Sequence, residues 1–244
     1  ITQRVEEALA PQASLLTGYE VQAVGLDIAA GTISLRLEAT PKTVEDGLAM
    51  EFLASDGTDT CRAPLQPGEG PAYTALLTVP LADGLHYYVS FQWGDRTETE
   101  ELSLPGEYSS LSRAAVLEVE FTAASGSLSL TGGSLTLKDF EAGAFVYSPS
   151  SDLGEAFLWP ESAVLRLYRG EDMVEEFPME TQERSAGKGY AIYSVFLGDR
   201  TWEADGPVCL EVAVTDNYGR EFVSQPEVWG EGAAQWDAVR AQEG

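Results

Sequence analysis

One histidine, two cysteines and 40 carboxylates are the groups from which this chain could build a reaction. His86 falls next to Tyr87 in an alternating run, on the outward phase. A nucleophile–histidine pair needs a hydroxyl or thiol within reach of the imidazole, yet no Gly-x-Ser-x-Gly elbow occurs. Cys61 and Cys209 lie far apart in strand-like sequence, which predicts two unpaired thiols. With one histidine they cannot fill a four-ligand zinc site. Calcium is the one metal candidate, through Asp56 and Asp59 in SDGTDT, Asp95, Glu98 and Glu100 after a turn, and Asp152 and Glu155 in SSDLGE. None of these segments follows the Asp-x-Asp-x-Asp-Gly loop that wraps oxygen ligands round one ion. A glycosidase needs two facing carboxylates, and in so acidic a chain some such pair always exists, so the signal is empty. No catalytic residue and no metal ligand is assigned, and a non-enzymatic protein is expected.

The aromatic residues speak more clearly than the titratable ones. Phe140–Ser162, FEAGAFVYSPSSDLGEAFLWPES, carries Phe145, Tyr147, Phe157 and Trp159 and has no counterpart in the first half. Insertions between strands are where rigid scaffolds place binding surfaces. Phe145, Tyr147, Trp159 and Trp202 are therefore the candidate binding residues, the last three as a stacking platform for a glycan. Filling of a core or of a module interface is the competing role for such rings.

The charge narrows the partners. Fourteen basic and 40 acidic residues give a net charge of −26 over 244 residues. Such a surface repels nucleic acid backbones and anionic lipid headgroups. A protein or glycan partner remains open, as does the oligomeric state. The run Glu171–Glu183 holds six acids and no base. Its readings are a solvated strand edge or a docking patch for a basic partner. No apolar run approaches the length of a membrane span. The chain opens on Ile1, and a leader or anchor is expected upstream, with an extracellular or cell-surface location.

The elements that must hold these residues are strands. Ile33, Leu35 and Leu37 alternate with Ser34, Arg36 and Glu38, and the same period of two recurs at Val24–Ile28, Leu48–Phe52, Ala75–Leu81 and Tyr87–Trp93. In the second half it returns at Leu117–Phe121, Leu128–Leu137 around Gly132-Gly133, Leu165–Leu167, Tyr193–Leu197 and Val208–Val214. Both halves end on strand, Asp-Gly, long strand, tight turn and strand, as duplicated modules would. Pro, Gly and Ser cluster at Pro105–Arg113, which marks a boundary where a cut near Ser109 separates two folding halves. The expected organisation is an N-terminal helical segment over 1–18, a first β-sandwich module over 19–106, a second over 107–228 with an insertion at 140–162, and a tail over 229–244. Trp236 would dock a short helix at Ala233–Ala241 in that tail.

CLEVAVTDNYGRE, Cys209–Glu221, resembles the final hairpin of bacterial immunoglobulin-like and fibronectin-III-like surface modules. LADGLHYYVSF, Leu81–Phe91, resembles the turn and strand before the matching hairpin. The resemblance implies an all-β fold of two immunoglobulin-like antiparallel β-sandwich domains in tandem. It also implies that Tyr87 anchors a corner of the fold, where the second module has Val208 or Leu210. A superfold implies no activity. The function expected is display, spacing or protein binding at a cell surface. The alternative is a carbohydrate-binding module or an accessory domain of a larger secreted enzyme.

Overall fold

The computed structural model describes residues 14–204 and 206–229. The fold is all-β, sandwich-like and built of antiparallel sheets. It divides into two compact units, one reaching to Ala115 and including Asp152–Glu155, the other comprising Val116–Ser151 and the chain from Ala156 onward.

The first unit contains β1 (Leu16–Asp27), β2 (Thr32–Pro41), β3 (Leu48–Ser55), β4 (Thr60–Pro67), β5 (Tyr73–Pro80), β6 (His86–Trp93) and β7 (Arg96–Glu101), ordered β1-β2-β5-β4-β3-β6-β7. β4 pairs with β3 along most of its length but with β5 only at Gln66 and Pro67. It thus hinges one sheet to the other. The core is the inward phase of each strand: Ile33, Leu35 and Leu37, then Met50 and Phe52, Leu77 and Val79, and Tyr87, Val89 and Phe91. Alternation was sufficient to read all of these.

β1 departs from the expected phase. Leu16 and Ala23 are its buried residues, and Val24 and Leu26 are half-buried. The register slips between Ala23 and Gly25, where Val24 is a bulged extra residue, and a one-residue slip exchanges the two faces of a strand. Of the helical segment expected over 1–18, residues 1–13 lie outside the described chain, and Leu16 to Gly18 belong to β1. Trp236 and Ala233–Ala241 also lie outside it.

The second unit contains β8 (Glu118–Thr131), β9 (Ser134–Tyr147), β10 (Pro160–Arg169), β11 (Asp172–Pro178), β12 (Glu180–Ser185), β13 (Tyr190–Glu203), β14 (Val208–Asp216), β15 (Glu221–Val223) and β16 (Glu227–Trp229). One sheet runs β12-β13-β9-β8. The other runs β11-β10-β14-β15, with β16 also on β14. Residues 140–147 are the second half of β9 and Pro160–Ser162 open β10, so the connection itself is residues 148–159. Alternation hides this half of β9 because Ala142, Gly143 and Ala144 are buried in succession. A Cβ on Gly143 would lie 2.8 Å from Thr122 Oγ1, so close approach of β8 requires glycine there.

The Pro105–Arg113 segment is ordered, as two 3₁₀ turns over Gly106–Ser109 and Leu111–Ala115. Tyr87 Oη donates to the Tyr108 carbonyl at 2.7 Å, and Tyr108 Oη donates to the Val21 carbonyl at 2.7 Å. The two rings meet edge to face at 6.5 Å. Gly84 N donates to Ser109 O, and Asp83 Oδ1 accepts from Ser112 N and Oγ. Tyr87 therefore anchors the chain downstream of its strand, whereas a tyrosine corner bonds to backbone a few residues upstream.

Candidate functional site

The structure distributes the four candidate residues over three places in the second unit. Phe145 and Tyr147 are two apart on β9 and share one face. Their neighbours Ala144 and Val146 point into the core, so Phe145 and Tyr147 face outward and are half-buried. In register beside them on β13 are Ile192 and Tyr190, and on β8 Glu120 and Glu118. The rings of Phe145 and Tyr190 stack at 5.6 Å and 28°. Tyr190 Oη donates to Glu183, which holds its hydroxyl above the ordinary tyrosine value. Ser151 Oγ donates to Tyr147 Oη at 3.3 Å. The result is an aromatic patch on the outward face of a sheet, rimmed by carboxylates.

Trp159 sits elsewhere, at the end of the β9–β10 connection. That connection is built on buried serines: Ser148 and Ser150 hydroxyls lie 2.9 Å apart, and Ser150 Oγ accepts from Phe157 N. Asn217, the one asparagine of the chain, then ties the connection to the β14–β15 turn. Its Oδ1 accepts from Trp159 N at 2.9 Å, its backbone N donates to Trp159 O at 2.9 Å, and its Nδ2 donates to Phe157 O at 3.3 Å. Arg184 lies 4.7 Å from the Trp159 ring centroid and donates to the Pro160 carbonyl. The turn itself is held by Asp216, which is fully buried. Asp216 Oδ1 accepts from Tyr218 N and Arg220 N, and Oδ2 accepts from Arg220 Nε and Nη2 at 2.9 and 2.7 Å.

Trp202 is not part of either group. It pairs with Leu135, while Ile192 pairs with Phe145 on the same two strands. Ten strand residues separate Ile192 from Trp202, roughly 30 Å of extended chain. Trp202 Nε1 donates to Glu175 Oε2 at 3.0 Å, and its ring meets Phe177 edge to face at 6.3 Å. Arg200 lies over the same Phe177 and pairs with Glu175. These contacts fix the end of β13 and leave Trp202 no share in one surface with Tyr147.

Three of the acidic groups read as calcium candidates, Asp56, Glu98 and Glu100, have partners within the chain. Asp56 Oδ1 accepts from Thr58 N and Asp59 N at 2.8 Å each, which lowers the carboxyl below its ordinary range. Glu100 accepts from Ser14 Oγ and from the amides of Leu15 and Leu16, stapling β7 to the start of β1. Glu98 pairs with Arg96. Among the described residues no three His, Cys, Asp or Glu side chains gather as metal ligands would. His86 Nδ1 lies 3.0 Å from Glu101 Oε1, with both side chains more than half exposed at 62% and 59%. Cys61 is half-buried and Cys209 buried, and they lie in different units.

The run Glu171–Glu183 spans β11 and β12, which are the outer strands of the two sheets. Between Leu167 and Tyr168 the β10–β11 register slips, leaving Val174 as an extra residue. Charges and a bulge on an outer strand oppose pairing with another chain. Glu176 and Glu221 both bind Arg166, whose guanidinium they hold well above its ordinary value, and Arg166 in turn lowers Glu221.

No family model matches the chain and no curated protein matches it. Solved structures give a generic β-sandwich resemblance. Pullulanase type I from Bacillus subtilis, in complex with maltose, aligns over 85% of this chain and 24% of its own, at 12% identity and a TM-score of 0.21. Bovine butyrophilin aligns over 88% and 100%, at 13% and 0.27. Red sea bream transglutaminase aligns over 91% and 33%, at 10% and 0.26. The chain thus spans about a quarter of that pullulanase and a third of that transglutaminase. Among the described residues no helix is long and apolar enough to cross a membrane.

Proposed function

We propose that the chain is a non-enzymatic pair of immunoglobulin-like sandwiches that displays a protein-binding face outside the cell. Strand order supports the fold. In the second unit β12-β13-β9-β8 opposite β11-β10-β14-β15 repeats the D-E-B-A and C′-C-F-G arrangement of that superfold. In the first unit β1-β2-β5 and β4-β3-β6-β7 give the same order without a strand D. The function is carried by one observation: Phe145 stacks on Tyr190 beside Tyr147 on an outward sheet face, with Glu118, Glu120 and Glu183 around them. Half-buried aromatics inside a charged rim are the anatomy of a protein interface. A glycan platform across Tyr147, Trp159 and Trp202 is not carried forward, because the length of β13 separates Trp202 from Tyr147.

The test screens the whole chain and a Phe145→Ser, Tyr190→Ser double variant against arrays of extracellular proteins and of glycans. A protein ligand that the variant loses is the expected result. Binding to glycans alone, or protein binding that the variant retains, overturns the reading.

A further inference from the structure

Among the described residues four arginines lie over aromatic rings, and three of them also hold a carboxylate. Arg96 lies 5.5 Å from the Trp93 ring centroid and pairs with Glu98. Arg200 lies 5.0 Å from that of Phe177 and pairs with Glu175 at 2.9 Å. Arg220 lies 5.1 Å from that of Phe222 and pairs with Asp216 at 2.7 Å. A guanidinium is planar, so it can rest against a ring and still fork a carboxylate. Ring, arginine and acid thus recur as one unit in this chain.

The Phe145–Tyr190 stack has two parts of that unit. Its rings stand on the outward face, since Ala144, Val146 and Ala191 beside them along the strands point into the core. Glu183 is exposed and accepts the Tyr190 hydroxyl hydrogen. A phenol donor is neutral, so that bond leaves the negative charge of Glu183 in place. Glu120 stands in register on the other side of Phe145, on β8. The outward residues that β9 and β13 place alongside, Glu141, Ile192, Ser194 and Phe196, include no base. Arg184 is engaged elsewhere, over Trp159 and on the Pro160 carbonyl. Among the described residues no arginine lies over Phe145 or Tyr190. With 14 basic residues for 40 acids, the chain has few cations left to supply one.

An arginine from another protein would complete the unit. A compact ammonium is held by a cage of rings, and two rings side by side form none. A guanidinium needs one ring and one carboxylate. We propose that the partner of this face presents an arginine, whose guanidinium lies against the Phe145–Tyr190 rings and binds Glu183. This rests on the reading of the face as a protein-binding surface and names the group that it recognises.

The experiment titrates the full chain, ¹³C-labelled in its aromatic rings, with capped tripeptides: acetyl-Gly-Arg-Gly-amide and its lysine and citrulline counterparts. The arginine peptide is expected to move the Phe145 and Tyr190 ring resonances saturably and to leave those of Phe52 and Phe91, in the core of the first unit, in place. Citrulline keeps the shape of arginine without its charge, and its peptide should bind roughly tenfold more weakly. Glu183→Gln, a surface change that keeps an acceptor for Tyr190, should weaken the arginine peptide about threefold. No saturable shift, equal binding of the lysine or citrulline peptide, or indifference to Glu183→Gln overturns the proposal. If it falls while the protein array still yields a ligand that the Phe145→Ser, Tyr190→Ser variant loses, the binding face stands and only its arginine is wrong. If the array yields none either, both readings fall.

Discussion

Removing one hydroxyl from Tyr87 tests how the chain past β7 is held to the first unit. Tyr87→Phe keeps the ring, which packs on Phe52 at 6.1 Å and on Tyr108 at 6.5 Å. It deletes only the donor to the Tyr108 carbonyl. A buried acceptor left without its donor costs about 1–2 kcal/mol. The pH dependence separates this from a general packing defect. Burial pushes the Tyr87 hydroxyl well above the ordinary tyrosine value, and the nearby Tyr108 adds to the shift. In the unfolded chain the same hydroxyl ionises near pH 10. Above that pH the unfolded state has released a proton that the folded state still holds. Stability therefore falls as pH rises past 10, by up to about 1.4 kcal/mol per pH unit for this one group, and is insensitive to it below. The phenylalanine variant has no such proton. Its deficit at pH 8 should shrink as pH rises to 11. Urea unfolding of the whole chain at intervals between pH 8 and pH 11, followed by tyrosine absorbance and by circular dichroism, measures both effects. Equal stability at pH 8, or parallel pH slopes for the two proteins, would refute the reasoning.

Asp216→Ala strands the Arg220 guanidinium and two amides of the β14–β15 turn. It should cost about 3 kcal/mol, toward the low side for a buried pair because Arg220 is partly exposed, and the Trp159 indole signal should change with it. Gly126→Ala places a Cβ 2.3 Å from the Asp139 carbonyl at a φ of +85°; a loss of more than about 2 kcal/mol in thermal unfolding is expected, and a near-neutral result would mean that β8 and β9 do not cross so closely there. Asp83→Ala removes the acceptor for Ser112. Hydrogen exchange at Ser110 and Arg113 should then speed up several-fold while exchange in β3 stays unchanged; slow exchange in the variant would show that Asp83 does not hold the segment.

What the sequence made legible was whatever depends on nearest neighbours along a strand. β2, β5 and β6 follow from alternation, and the β8–β9 hairpin follows from Gly132-Gly133. Alternation failed where a residue was added or a side chain was missing. The Val24 bulge reverses the face of β1, and the buried Ala142-Gly143-Ala144 interrupts the alternation in the second half of β9. The candidate site was legible as residue types but not as an assembly. Phe145 and Tyr147 meet Tyr190, a partner distant in sequence that only strand register supplies. The Pro105–Arg113 segment has the composition of a linker, yet its order rests on two tyrosine hydroxyls that reach back to it or out from it.

The same limit governs the charge. A net charge of −26 invites a search for a basic partner or a cation, but many of these acids already have short-range work. Asp56, Asp83, Glu100 and Asp216 accept backbone amides, which fixes turns and strand ends. Arg166 on β10 is held by Glu176 on the neighbouring β11 and by Glu221 on β15, and Glu175 on β11 holds Arg200 on β13 of the other sheet. Glu171, Asp172, Glu180 and Glu183 lie along or beside the two outer strands of the second unit, where unpaired backbone would otherwise template association. A carboxylate spent on an amide or a guanidinium is weakened as a ligand for anything else. The proposed binding face therefore rests on the outward ring stack of β9 and β13 and not on the acidic groups that amides and guanidinium groups already hold.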